Sequence, residues 1–215
     1  METEIDQTQM KNNSNNNNEK KPRILCLHGF RTSGEILKKQ MGRWPEMVLG
    51  RLDLVFLDGP CPAAGQSDVE GFFDPPYYEW FQFRQGAIIS AALPGMQLHG
   101  VALTKVPKIK FLIIMSGAKL GGSKLISGGR FEGSKFGLPK IAANAFSSTV
   151  KCPSLHIIGE ADFLKETGIE LLESFEEPVV IDHPKGHTIA RLDEKGLKTM
   201  LSFIEKIKEI QLQQE

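Results

Sequence analysis

The chain has 215 residues, and apolar residues make up 40% of it, which is enough to build the core of one domain. Lysine and arginine together number 26, as do aspartate and glutamate, and the basic residues form no block. This balance argues against binding to nucleic acid or to a membrane surface. The apolar runs are also shorter than the roughly 18 residues that cross a bilayer.

The N-terminal segment is acidic and rich in asparagine, with KNNSNNNNEK at 11–20. Such a segment cannot bury enough apolar surface to become ordered, so residues 1–20 are predicted to be a disordered tail before a folded domain at 21–210. It lacks the apolar stretch of a secretory signal. The three cysteines show no C-x-x-C spacing. We therefore expect reduced thiols in a cytoplasmic, or also nuclear, protein.

Buried strands and helices alternate along the rest of the chain. PRILCLHGF (22–30) and LDLVFLDGP (52–60) are predicted strands, and the helix between them starts at an N-cap, Ser33. A long glycine- and proline-rich loop at 58–74 precedes a helix predicted at 86–99. Three more strands follow, in KIKFLIIMSGA (108–118), SLHIIGEAD (154–162) and PVVIDHP (178–184). Helices are predicted at 165–175 and 193–210. This order predicts an α/β fold with a mostly parallel sheet flanked by helices.

Two polar side chains follow the last two predicted strands, where the chemistry of parallel sheets is found. Asp162 comes after the fourth strand and His187 after the fifth. An aspartate and then a histidine at late strands is the order of an α/β-hydrolase, whose triad runs Ser, Asp, His along the chain. Taken alone, Asp162 is better explained as a helix cap and His187 as an ordinary loop residue.

The loop after the first strand reads His28-Gly29-Phe30. In the α/β-hydrolase arrangement, this loop and the residue after the nucleophile donate backbone N–H groups to the developing oxyanion. Here those donors are predicted near Phe30 or Arg31 and at Gln85. A turn glycine beside a packed histidine would explain the same loop.

The nucleophile position is wrong for a serine hydrolase. The elbow motif is G-x-S-x-G, but residues 82–86 read Gln-Phe-Arg-Gln-Gly, which places Arg84 at the apex. Arginine stays charged and cannot attack as a serine does. Ser90 would point away from the apex, and Ser116 lacks the glycine pattern of an elbow. We therefore expect neither to replace the nucleophile.

Several longer stretches resemble a known family. RILCLHGFRTSGEILKKQ, QGAIISAALPGMQ, CPSLHIIGEADFLK and HPKGHTIARLDE closely resemble plant members of the FSH family of serine hydrolases, relatives of the human OVCA2 protein. The resemblance runs from Arg23 to about Ile207. It implies an α/β-hydrolase fold and cleavage of an acyl ester, with His187 as general base and Asp162 orienting it. We expect no cofactor, and Pro184 and Gly186 prevent His183 and His187 from forming a helical zinc site.

The chain departs from the family just before QGA, where about one strand–helix unit, on the order of 30 residues, is missing. YEWFQF (78–83) is compatible with a strand and is predicted to take the vacated central position. With the missing unit present, we expect the protein to be a carboxyl-ester or thioester hydrolase that acts on a small acyl ester. Without that unit, we expect this chain to be an impaired enzyme. The alternatives are a pseudo-hydrolase that binds a small acid or a protein partner, and a short isoform without function.

Overall fold

The computed structural model describes residues 20–80, 86–119 and 144–213. Its strands are β1 (Arg23–Leu27), β2 (Asp53–Leu57), β3 (Cys61–Pro62), β4 (Tyr78–Glu79), β5 (Leu112–Met115), β6 (Ser154–Gly159) and β7 (Val179–His183). Its helices are α1 (Gly34–Met41), α2 (Glu46–Leu49), α3 (Gly86–Leu98), α4 (Lys165–Leu172) and α5 (Glu194–Leu212). The predicted tail, except for Lys20, lies outside the described residues, as do Arg84 and Gln85.

The long strands are parallel, which confirms the predicted α/β class. β1 pairs with β2, and β5, β6 and β7 form a second sheet in that order. Within the described ranges, no strand joins β1 to β5. None of the helices described here has the length and apolar character needed to cross a membrane.

The helix after β1 starts as predicted but ends early. The Ser33 hydroxyl accepts a hydrogen bond from the N–H of Ile36 at 3.2 Å, as an N-cap does. The single helix predicted beyond this cap is divided into α1 and α2 by Gly42 and Pro45. Proline disfavours the helical conformation of the residue before it, so Pro45 starts a new helix instead of continuing the first.

The β5–β6–β7 sheet has apolar residues packed on both faces. One face packs with α1 and α5 in a cluster that includes Leu37, Met41, Leu155, Met200 and Ile204. The other face packs with α3 and α4 in a cluster that includes Ala91, Ile114 and Leu171. Double coverage of this kind is expected for parallel strands.

Among the described residues, the apolar clusters cover the β1–β2 sheet on one face. Cys26 and its register partner Phe56 face the main core. On the opposite face, Leu25 lies beside Val55, and Leu57 extends the same row. These three apolar side chains are 56%, 36% and 40% exposed. Within residues 20–80, 86–119 and 144–213, no second layer covers this face, although parallel strands are normally covered on both faces.

The prediction that YEWFQF fills the centre of the sheet is wrong for its first residues. Tyr78 and Glu79 form β4, which pairs antiparallel with β3. The N–H of Tyr78 also donates to the Thr32 carbonyl at 2.6 Å. Glu79 is 7% exposed and forms an ion pair with Arg31, which keeps the segment beside the loop after β1. Residues 81–83 lie outside the described residues.

Candidate active site

Four polar residues lie at the carboxyl ends of the parallel strands. His28 follows β1, Ser116 follows β5, Asp162 follows β6 and His187 follows β7. Ser116 and His187 line one cavity together with Phe30 and Arg31, and Asp162 contacts His187. The structure thus brings together the predicted aspartate, the predicted histidine and the predicted oxyanion loop.

Asp162 and His187 form a close pair. The Nδ1 atom of His187 lies 3.0 Å from Oδ1 and 3.1 Å from Oδ2 of Asp162. The carboxylate is 1% exposed, whereas the imidazole is 29% exposed at the cavity. A buried carboxylate at Nδ1 fixes the ring orientation and favours the tautomer that carries the proton on Nδ1.

The surroundings of Asp162 stabilise its charged form. Burial alone would raise the pKa of this carboxyl, but the Ser116 hydroxyl, the N–H of Leu164 and His187 together lower it below its ordinary value. The Leu164 N–H donates to Oδ1 at 2.8 Å. Ser116 is near enough to Asp162 to lower its pKa, although its buried Oγ makes no hydrogen bond within the part of the chain that the structure describes. Asp162 is therefore an anion suited to hold an imidazolium.

A second ring supports His187. The phenyl ring of Phe163 lies against the imidazole, with ring centroids 4.7 Å apart and an interplanar angle of 35°. Since Phe163 directly follows Asp162, one short loop positions both contacts of the histidine. The imidazole is held by its carboxylate partner on one edge and by an aromatic ring on one face.

The loop predicted to bind an oxyanion is held from three sides. Arg31 has a φ of +49°, which is unusual for a residue with a side chain. Its Nε donates to Glu79 at 2.8 Å, and its Nη1 donates to the Gln66 carbonyl at 2.9 Å. The Ser67 hydroxyl donates to the Arg31 carbonyl at 2.6 Å. Sequence reasoning missed Glu79 and Ser67, because nothing local indicates partners so distant in the chain.

His28 has a structural role, as the plainer interpretation of its loop suggested. The ring is fully buried, and its Nε2 accepts the N–H of Gly59 at 2.8 Å. Nδ1 therefore carries the proton and donates to the Gly29 carbonyl at 2.8 Å. Burial lowers the pKa of His28, so the neutral ring is favoured.

The carbonyl of His28 anchors the start of α3. It accepts the N–H of Gly86 at 3.1 Å and the indole N–H of Trp80 at 3.0 Å. A Cβ at position 86 would lie 2.6 Å from the carbonyl oxygens of Leu27 and His28. Only glycine allows this approach. The predicted nucleophile position, Arg84, and the predicted donor, Gln85, lie just before Gly86, outside the described residues.

Ser116 is held in a strained conformation at the end of β5. Its φ is +50°, and it is 9% exposed. A substituent on the following Gly117 would lie 2.3 Å from the side chain of Ile114, so the turn is tightly packed. Ser90, the other serine considered from the sequence, lines the same cavity from α3.

The cavity beside the site is large, about 1390 Å³. Its lining includes the loop after β1, residues 66–70 and the His187 loop. It is also lined by Ile24 and Leu27 of β1, Ile113 and Met115 of β5, and residues of α1. The cavity therefore reaches from His187 to residues of both β1 and β5.

An aspartate and a histidine on successive strand ends, facing a loop at the end of the first strand, are the arrangement of an α/β-hydrolase-type serine hydrolase. The chain belongs to the serine hydrolase (FSH1) family, whose profile matches residues 17–85 and 82–196. The predicted family and fold class are thereby confirmed.

Relatives named as esterases are similar along most of the chain. An esterase of Anopheles gambiae is 25% identical over 211 residues, covering 79% of this chain and 72% of that protein. The esterase OVCA2 of Mus musculus is 25% identical over 202 residues, covering 78% of this chain and 88% of that protein. The crystal structure of Arabidopsis thaliana SOBER1 is similar at 17% identity and a TM-score of 0.46, covering 87% of this chain and 99% of that one.

Proposed function

We propose that this chain is the scaffold of a carboxyl-ester or thioester hydrolase that has lost its nucleophile and does not turn over substrate. In the intact form, an elbow serine attacks the acyl carbon while His187 accepts its proton and Asp162 orients the imidazole. Backbone N–H groups near Phe30 or Arg31 and at Gln85 stabilise the oxyanion.

The observation that carries this proposal is the contact between Asp162 and His187. Nδ1 of the histidine lies within 3.1 Å of both carboxylate oxygens, and His187 lines a cavity. A histidine held in this way serves as a general base when a nucleophile lies on its other side. Arg84, which stays protonated, cannot give up a proton to it. In subtilisin, loss of the nucleophile lowers turnover by about 10⁶.

Two comparisons support the loss of a whole segment. The family profile matches in two parts that meet at 82–85, immediately around Arg84. The alignment with the Anopheles esterase has 211 positions but uses 79% of the 215 residues, about 170, so about 40 positions are filled by the relative alone. In the part of the chain that the structure describes, β1–β2 and β5–β6–β7 are separate sheets, which also agrees with loss of an intervening strand.

The test is labelling with a fluorophosphonate, which reacts with activated serines, followed by mapping of the modified residue. The chain should fold, as judged by a cooperative circular dichroism melt, and remain unlabelled. Labelling of Ser116, Ser90 or any other serine that is abolished in His187→Ala would contradict the proposal.

Two further proteins separate the residue from the segment. Arg84→Ser restores the side chain alone, whereas a chimera in which the relative's unmatched segment, ending in its elbow serine, replaces Arg84 between Phe83 and Gln85 restores the elbow. We expect labelling of the chimera but not of Arg84→Ser. Labelling of Arg84→Ser would show that the arginine alone accounts for the loss.

The second candidate function is a pseudo-hydrolase that binds a small acid or a protein partner through the same cleft. The cavity of about 1390 Å³ beside His187 favours it. Octanoate should then shift the ring resonances of His187 in nuclear magnetic resonance spectra, whereas octanol should not. If the folded chain shows no shift with octanoate, the inactive scaffold is the better explanation. If the chain does not melt cooperatively, the result favours a short isoform without function.

A further inference from the structure

We propose that His183 is a positioning residue for His187. Its ring fixes the backbone of residues 184–187, and this backbone carries the His187 imidazole to Asp162. The inference deepens the proposed function, on which it rests for the role of His187. It also gives a role to a histidine that the mechanism does not use.

The first argument is that the loop after β7 lies along the loop after β6. The N–H of Ala161 donates to the Lys185 carbonyl at 3.2 Å. Asp162 follows Ala161 and contacts Nδ1 of His187, which is two residues beyond Lys185. The place of Lys185 in this row of contacts therefore sets where the imidazole meets the carboxylate.

The second argument is that the His183 ring holds Lys185 by its other backbone group. The N–H of Lys185 donates to Nδ1 of His183 at 3.2 Å, and the His183 carbonyl accepts the N–H of Glu160 at 2.8 Å. His183 ends β7 and is 6% exposed, so its ring has little freedom to move. Both backbone groups of Lys185 are thus bonded, one to the ring of His183 and one to the loop that carries Asp162.

The third argument is the close fit of this ring against β6. Gly159 is the register partner of His183. A Cβ at Gly159 would lie 3.0 Å from Cε1 of His183 and 2.5 Å from the Lys185 carbonyl oxygen. Glycine at this position therefore lets the ring and the loop approach β6 together.

The acceptor role requires a neutral His183 ring with its proton on Nε2. Burial lowers the pKa of His183 and favours the neutral ring, although the carboxylates of Asp162, Asp182 and Glu160 act in the opposite direction. Within the described ranges, Nδ1 makes a hydrogen bond and Nε2 makes none. A substitution that keeps an acceptor at the Nδ1 position should therefore keep the role.

The experiment compares two substitutions of nearly equal shape in the full chain. Asparagine carries an acceptor close to the Nδ1 position, whereas leucine carries none. The readouts, in nuclear magnetic resonance spectra, are hydrogen exchange at the Lys185 amide and at Nδ1–H of His187. In His183→Leu we expect both protons to exchange about tenfold faster, which corresponds to loss of one hydrogen bond. In His183→Asn we expect rates near those of the parent.

His156→Gln is the control. It removes another buried histidine, whose ring contacts Ser154 and Phe175 instead of the loop after β7. Both exchange rates should be the same as in the parent.

A measurement on the parent needs no substitution and decides the question if the variants do not fold. As acid protonates His183, the Lys185 amide resonance should move with the same midpoint as the His183 ring nitrogens, because a protonated Nδ1 cannot accept. The carboxyl groups that face His183, those of Asp162, Asp182 and Glu160, are followed separately by their carbon-13 resonances.

The outcomes distinguish the two proposals. Unchanged rates in a folded His183→Leu protein would overturn the role of His183. So would equal acceleration in His183→Asn or His156→Gln, or a Lys185 amide that does not follow the protonation of His183. These results leave the loss of the nucleophile untouched. Labelling of the parent by the fluorophosphonate would contradict the proposed function instead, with His187 still the base that His183 positions.

Discussion

The Asp162 carboxylate contacts Nδ1 of His187 at 3.0 Å while its Oδ1 also accepts the N–H of Leu164 at 2.8 Å. The sequence allowed two interpretations of Asp162, as a helix cap or as the partner of a histidine. The structure combines them, because one carboxylate satisfies the backbone just before α4 and orients the imidazole. The loop that ends β6 therefore depends on this one charged group.

This dependence predicts an acid-sensitive fold. The pKa of Asp162 is lower in the folded chain than its ordinary value of 3.8. A carboxyl with a lowered pKa contributes stability that is present above the unfolded pKa and lost as pH falls through the folded one. Urea unfolding between pH 5 and 3 should show a smaller decline in the free energy of unfolding for Asp162→Asn than for the parent. The exposed Asp182→Asn serves as control, and equal declines for both variants would contradict the prediction.

Ser116 should act on the reactivity of the pair through Asp162. Its hydroxyl contributes to lowering the pKa of that carboxyl, and its buried Oγ makes no hydrogen bond among the described residues. Ser116→Ala should therefore raise the pKa of Asp162 in a carbon-13 titration of the carboxyl group. Ser90→Ala removes a hydroxyl that lines the same cavity and should leave that pKa unchanged. An unaltered titration in a folded Ser116→Ala protein would refute this role.

The order of strand ends was enough to predict Asp162 and His187, because parallel strands bring their carboxyl ends to one edge of the sheet. Ser33 was predictable for a local reason, because a helix N-cap hydrogen bond joins residues only three positions apart. The ion pair between Arg31 and Glu79 was not predictable. It joins residues 48 positions apart through the β3–β4 hairpin, and short two-residue strands leave no periodic pattern.

The open face of β1–β2 was also beyond sequence reasoning. Leu25, Val55 and Leu57 are typical of strands buried on both faces, so their pattern predicts a cover. Whether a cover exists depends on segments elsewhere in the chain. The departure from the family pattern at Arg84 was the one local signal that the fold around these strands had changed.

His156 should make the fold sensitive to mild acid. Burial lowers its pKa from 6.5 to about 4, and its Nε2 lies 3.0 Å from the Ser154 hydroxyl in the interior of β6. A histidine with a lowered pKa costs stability as pH falls below the unfolded value, because the unfolded chain then binds the proton more readily. This lowering of the pKa corresponds to a loss of about 3 kcal/mol in the free energy of unfolding between pH 6.5 and 4.

The measurement is urea unfolding of the parent and of His156→Gln over that pH range. The amide keeps a hydrogen-bond partner for Ser154 but does not titrate, so the variant should lose about 3 kcal/mol less than the parent. His99→Gln changes an exposed histidine and should follow the parent. A parent and His156→Gln with the same pH dependence would show that His156 is not responsible.

Gly86 should be intolerant of even one methyl group, although alanine is ordinarily the better helix former by about 1 kcal/mol. The added Cβ would lie 2.6 Å from the carbonyl oxygens of Leu27 and His28, which are backbone atoms and cannot rotate away. Gly86→Ala should therefore lower the free energy of unfolding by about 2 kcal/mol or more. Gly29→Ala, whose nearest neighbour would be 3.9 Å away, is the matched control for urea melts. A Gly86→Ala protein as stable as its parent would mean that α3 does not start against the end of β1.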